Sequence, residues 1–178
     1  MIKYSRCLIY KITMVCLLSA FLFACGYSMV PRGENIDRNI RNIYVKHFEN
    51  KTSQAELENY FRTAFTNQFL HNSRFKVVNS MESADAVVYG RVLNYVTAPL
   101  SYLISNLAAE ERATVIIEVV FEDNVNGKIL WKTNNMTDSV DYRLDNDINL
   151  VSATRKRALI KLSHDMAERA FNLMMSGF

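Results

Sequence analysis

The stretch "ATVIIEVVFED", residues 113–123, decides the fold. Val115, Ile117, Val119 and Phe121 fall on one side of an extended chain. Thr114, Ile116, Glu118, Val120 and Glu122 fall on the other. Successive side chains of a strand point to opposite faces, so this pattern makes one apolar face and one mixed face. A core must lie against the apolar side. Just downstream, Asn126-Gly127 is a hairpin-turn signal, because both residues tolerate positive φ. The spacing predicts an antiparallel hairpin from Ala113–Glu122 to Lys128–Val140.

Working upstream, "ADAVVYGRVLNYV" predicts a longer strand, about Ala86 to Thr97, with Pro99 marking its end or an edge. "LSYLISNLAAEER" then reads as a connection with an apolar middle. "RFKVV" is a short strand, Phe75 to Val78. In "NIYVKHFEN", Ile43, Val45 and His47 alternate with Tyr44, Lys46 and Phe48. That is a short strand with two partly apolar faces, which suits the interior of a sheet.

Two segments are helical. Ser53 and Glu56 have capping-box spacing. Leu57, Phe61, Ala64, Phe65, Gln68 and Phe69 follow at helical spacing, predicting a helix from Gln54 to about His71. Its aromatic stripe reads as core-facing. A second helix runs from about Asn149 to Met174, with Leu159, Leu162, Met166, Ala170 and Leu173 on its inner side. Arg155, Lys156, Arg157, Lys161 and Arg169 are expected on its solvent side. The element order is β-α-β-β-β-β-α. The expected fold is α+β, with two helices packed on one face of a mostly antiparallel mixed sheet. A parallel pair bridged by the first helix would be right-handed.

The N-terminus carries an address. Lys3, Arg6 and Lys11 precede or enter an apolar block from Ile12 to Phe23. A spanning helix needs roughly 20 apolar residues, so this block suits a secretory signal peptide instead. It ends in Leu22-Phe23-Ala24-Cys25, which resembles the lipobox of bacterial lipoproteins, although Phe23 is bulkier than the residue usual there. The expected boundaries are a signal peptide at 1–24, a lipidated tether at 25–42 and one domain at 43–178. Cys25 would carry a thioether-linked diacylglycerol and an amide-linked acyl chain such as palmitate. Each buried CH₂ contributes ~0.8 kcal/mol, and two chains already suffice for stable anchoring. Gly26 in place of Asp resembles the pattern that sends such proteins to the outer membrane.

Lys3, Arg6 and Lys11 account for the whole excess of 21 basic over 18 acidic residues. The mature chain is formally neutral, which argues against a general nucleic-acid binder. Cys7 and Cys16 leave with the address and Cys25 is acylated, so no thiol remains for a disulfide or metal site. His47, His71 and His164 lack zinc spacing, and no phosphate-binding glycine loop occurs. Ser163-His164-Asp165 contains the residue types of a hydrolytic triad, but adjacent helix positions diverge, and a triad must converge. Asp145 and Asp147 lack the calcium-loop pattern. No enzyme, metal or diffusible cofactor is expected.

Several pieces together resemble one family: "CGYSMVPRG" after the lipobox, "NIYVKHFENKT", "ADAVVYGRV", "PLSY", and "NGKILW" after an alternating strand. Their order is similar to that of the LptE-type lipopolysaccharide-assembly lipoproteins. The resemblance covers most of residues 25 to 175 and fits least well from Leu100 to Arg112. It implies a non-catalytic lipoprotein on the periplasmic face of the outer membrane. Its implied partners are an LptD-type β-barrel, which it plugs and helps to assemble, and lipopolysaccharide. Basic residues in one loop and in the last helix of such proteins meet lipid A phosphates, for which Lys and Arg offer charge-assisted hydrogen bonds. Lys161 stands near the helical position. Ile104 and Ser105 occupy the loop position, leaving Arg112 as the nearest substitute. A solvated helix face is the plain alternative for Lys161. The alternative for the whole chain is another periplasmic assembly lipoprotein, serving secretion or a surface fibre.

Overall fold

The computed structural model describes residues 36–102, 108–144 and 147–177. The expected signal peptide, Cys25, Ile104, Ser105 and Asp145 lie outside the described residues. The sheet is built around the stretch that opened the sequence. Strand β5 (Ala108–Asp123) pairs antiparallel with β4 (Ala86–Tyr102) on one side and β6 (Ile129–Arg143) on the other. Ala113, Val115, Ile117, Val119 and Phe121 are all fully buried. The period-2 pattern thus sets the core side as expected.

Strands β1 (Asn42–Val45), β2 (Glu49–Asn50) and β3 (Lys76–Val77) complete the sheet, in the order β3-β1-β4-β5-β6 with β2 also on β4. Helix α1 (Leu57–Leu70) links β2 to β3, and α2 (Ile148–Ser176) closes the chain. The element order is the expected one with β2 added. β1 pairs parallel with both β3 and β4, and β2 pairs parallel with β4. The long antiparallel ladders still dominate.

The added strand has a local cause. Val45 pairs with Val88 and Glu49 with Arg91, so β1–β2 carries one residue more than β4 over this interval. The extra residue breaks the expected single strand and switches the inward side from Ile43 and Val45 to Phe48. His47 is left exposed. The Phe48 ring then lies over Gly90, where a Cβ would stand 2.5 Å from Phe48 Cε1. It stacks 5.3 Å from Phe65 and 6.1 Å from Phe61.

Phe61, Phe65 and Phe69 of α1 are fully buried, so the aromatic stripe is core. Phe69 also meets Phe171 of α2 at 5.1 Å, edge to face, and Phe75 at 5.4 Å. Burying each such ring contributes about 2–3 kcal/mol by area. Leu159, Leu162, Met166 and Ala170 of α2 fill the rest of the layer.

Local expectations are corrected at the start of α1, at the end of β4 and in the stretch before β1, while the hairpin at Asn126-Gly127 forms as expected. The Ser53/Glu56 capping box does not form. Glu56 is left-handed at φ 69, α1 starts at Leu57, and no side chain caps it. The turn before α1 is organised instead by Asn50. Its Oδ1 accepts from Thr52 N and Thr52 Oγ1, and its Nδ2 donates to Gln54 O and Glu58 Oε2. The Glu56 carboxylate accepts from Tyr60 Oη at 2.6 Å and pairs with Lys156 of α2. At the β5–β6 turn only Gly127 has positive φ, because the Asp123 carboxylate holds the turn by accepting from Val125 N and Asn126 N. Finally, β4 runs past Pro99 to Tyr102, so much of the expected loop is strand. Beyond Val92 that strand pairs only with β5, and on an unpaired side a missing N–H breaks no ladder. Ile36 and Ile40, from the stretch expected as tether, are buried in the core.

Candidate functional site

Both helices cover one face of the sheet. Through the strand alternation, the opposite face displays the mixed side of β5. Glu118 is at its centre, with its side chain only 12% exposed. Arg91 of β4 pairs with it at 2.5 Å and Lys132 of β6 at 3.4 Å. Burial pushes the Glu118 carboxyl upward, but the hydrogen bonds and charges of Arg91 and Lys132 outweigh it and hold the group below the usual range. Nearby, Tyr89 Oη donates to Glu122 Oε2 at 2.7 Å, which with partial burial raises the phenol. Lys46, His47, Tyr89, Arg91, Glu118 and Lys132 line a shallow cavity of ≈ 470 Å³ on this face. Val120 and Ile129 add apolar walls, and the central acid, Glu118, is matched to a basic partner on each flanking strand.

Arg112 belongs to the same face. Its Nε and Nη2 donate to the two Asp141 oxygens at 2.7 and 2.8 Å. That fork raises the guanidinium further and holds Asp141 below its usual range. Lys161 lies on the solvent side of α2, where it pairs with Asp165 one turn on. The hydrogen bond from Lys161 to Asp165 raises the ammonium. The two candidate residues are therefore on opposite sides of the fold, and the structure does not bring them together. Each is already engaged by an exposed acid, a pairing worth about 0–1 kcal/mol that an incoming phosphate can displace.

Lys156, Arg157 and Arg169 of α2 are exposed as expected, and Arg155 departs from the solvated row. Arg155 turns inward. Its Nε donates to Tyr142 Oη at 3.0 Å, while Tyr142 donates to Glu111 Oε2. Burial first, then the Glu111 hydrogen bond, raises the Tyr142 phenol. The nearby Tyr95 hydroxyl is buried without a hydrogen bond of normal geometry among the described residues. Arg169 donates to Thr137 O at 2.8 Å and pairs with Asp138. These contacts pin α2 to β6 and leave Arg157 and Lys161 outermost.

The triad residue types stay apart. Ser163 is buried and its Oγ donates to Leu159 O, whereas His164 and Asp165 are exposed. No group of three or more metal-ligating side chains occurs among the described residues. No helix among them is long and apolar enough to cross a membrane. Sequence reasoning missed the Arg91–Glu118–Lys132 group. An acid in the middle of an apolar strand was its signal, but only the register reveals its partners.

The fold and its open face define a class: a small α+β domain, two helices on one side of a mixed sheet, with the other side uncovered among the described residues. Solved structures share this fold. A candidate lipoprotein from Caulobacter crescentus matches at TM-score 0.52 and 13% identity, covering 72% of this chain and 88% of that one. The PelC dodecamer from Paraburkholderia phytofirmans matches at TM-score 0.52 and 12% identity, covering 82% and 94%. A search of curated proteins returns no match. The family model described as "LptE: Lipopolysaccharide-assembly" matches residues 40–174, and the chain belongs to that family.

Proposed function

We propose that the protein is a non-catalytic outer-membrane lipoprotein that sits in an LptD-type β-barrel, supports its assembly and binds lipopolysaccharide on its way to the surface. Family membership over residues 40–174 is the observation that carries this reading. Removal of residues 1–24 and acylation of Cys25 place the domain on the periplasmic face of the membrane.

The uncovered sheet face suits the partner. A wet barrel interior is polar, so a plug should offer polar groups with their charges already matched. The Arg91–Glu118–Lys132 group and the Arg112–Asp141 fork offer this. Arg112 and Lys161 then serve as separate phosphate contacts on two sides of the domain, not as one clamp. Each exchanges a carboxylate for a phosphate oxygen at little cost.

The test is detergent extraction of the full chain followed by affinity capture through its C-terminus. An LptD-type barrel should elute with it. Extraction without such a barrel contradicts the reading. Cys25→Ala should release the chain from the membrane fraction, and retention there would remove the anchor from the account.

A further inference from the structure

A sheet ends at strands whose outer N–H and C=O groups lack a neighbour, and such edges pair with other chains unless something blocks them. On one flank of this sheet, β2 and β3 are two residues each, too short to template a partner. On the other flank β6 is long, but its own domain closes it. Arg169 Nη2 donates to Thr137 O at 2.8 Å, and Asp138 Oδ1 accepts from Ser139 N at 2.8 Å. Lys132, Asp138, Asp141 and Arg143 add charge along it.

That leaves β4. β2 accompanies it only as far as Val92, and from Asn94 to Tyr102 it pairs with β5 alone. Lys51 N donates to Val92 O, so Val92 turns its backbone groups toward β2. The register shift between Val92 and Asn94 resets the alternation. Tyr95, Thr97 and Pro99 then turn their backbone groups to the free side. Tyr95 and Thr97 each present an N–H and a C=O there, and Pro99 a C=O. Among the described residues, nothing is hydrogen-bonded to these groups.

No charge guards this edge either. Residues 92–109 contain no Asp, Glu, Lys or Arg, in a chain that is 22% charged overall. Val96 is 51% exposed and Leu100 42%. One long edge is therefore closed by side chains and charge, and the other is left bare.

The chemistry of the bare edge names its occupant. Unpaired backbone groups are costly in hydrocarbon, so an acyl chain does not fit. They match the backbone of another extended segment, and an uncharged edge suits an uncharged one. A second copy offers only the same stretch of β4, since its other edges are short or closed, and there Pro99 withholds a donor from each half. A segment of a surrounding barrel protein carries no such double loss.

We infer that the free edge of β4, from Tyr95 to Pro99, takes up an uncharged extended segment of the barrel partner as an added strand. This rests on the reading of the domain as a barrel plug. The added strand continues the flank where β2 stops. Backbone pairing holds the plug in one register against its barrel, which a polar surface in a wet lumen does not do by itself.

The test uses the acylated full-length product in detergent, alone and as captured with its barrel. Amide hydrogen exchange is read by mass spectrometry on peptides covering 93–98 and 134–140. The expected result is exchange slowed about tenfold or more at 93–98 in the complex, with 134–140 little changed. Thr97→Pro removes an outward donor that gives nothing to β5, and should lower barrel capture roughly tenfold. Thr97→Ala keeps that N–H and should capture as the natural chain does. Val96→Lys guards the edge with a charge and leaves the backbone intact, so it should lower capture even if Thr97→Pro fails to fold. A barrel that elutes with the chain while 93–98 exchanges as fast as in the isolated protein overturns the added strand and spares the plug. No barrel in the eluate overturns the plug, and the occupant with it. Slowing at 93–98 that appears in the isolated protein as its concentration rises assigns the edge to a second copy and overturns the barrel segment as occupant.

Discussion

Replacing Gly90 with Ala tests the packing that fixes β1, β2 and α1 on the sheet. The added methyl would stand 2.5 Å from Phe48 Cε1, well inside contact distance. Phe48 is 1% exposed and stacks on Phe61 and Phe65, so its ring has little room to retreat. On its other side the new atom meets the Glu118 carbonyl of β5. Overpacking of this kind costs about 1–3 kcal/mol. A stiffer unfolded chain returns about 0.4–1 kcal/mol, which leaves a net loss near 1–2 kcal/mol. With a urea slope of about 1–3 kcal/mol per molar, the midpoint should fall by roughly 1 M at unchanged slope. Urea unfolding of the mature chain, followed by circular dichroism, reads this directly. Phe48→Leu removes the ring edge, so Gly90→Ala should cost less in that background, with coupling of about 0.5 kcal/mol or more. An unchanged or raised midpoint for Gly90→Ala alone would refute the close approach.

Asn50→Ala removes four hydrogen bonds from the turn before α1 and should cost about 1–2 kcal/mol, seen as a lower Tm. Glu118 is held below its usual pKa in the fold, so its contribution is present above the unfolded value of about 4.3 and is lost as pH falls through the lower folded value. Glu118→Gln should therefore flatten the stability profile below about pH 4.3, in urea titrations run at several pH values. Lys161→Ala and Arg112→Ala should each weaken lipopolysaccharide binding in a salt-sensitive way while moving stability by less than about 1 kcal/mol. Paired binding and unfolding measurements would show a structural role instead if stability fell and binding did not.

Much of this fold is legible in the chain because the signals are local. The alternation from Val115 to Phe121 names the buried side of the central strand, and the buried residues agree. The spacing of Phe61, Phe65 and Phe69 names the inner face of α1. Where the reading fails, a distant partner decides. Ser53 and Glu56 fit a capping box, but Lys156, 100 residues along, and Tyr60 take the Glu56 carboxylate. "NIYVKHFEN" alternates like one strand, yet the space above Gly90 draws Phe48 inward and splits it. Arg155 lies on the polar side of its helix by pattern, but Tyr142 and Glu111 on the adjacent strands supply acceptors. The polar sheet face was half visible. Alternation placed Glu118 outward, and only the register brings Arg91 and Lys132 to it.

The central claim is that this chain serves lipopolysaccharide delivery through an outer-membrane barrel. Its most direct test is depletion of the protein in its own cells, followed by labelling of lipopolysaccharide at the cell surface. The account predicts that surface lipopolysaccharide falls and that the folded LptD-type barrel falls with it. Surface lipopolysaccharide and folded barrel both unchanged after depletion would contradict it.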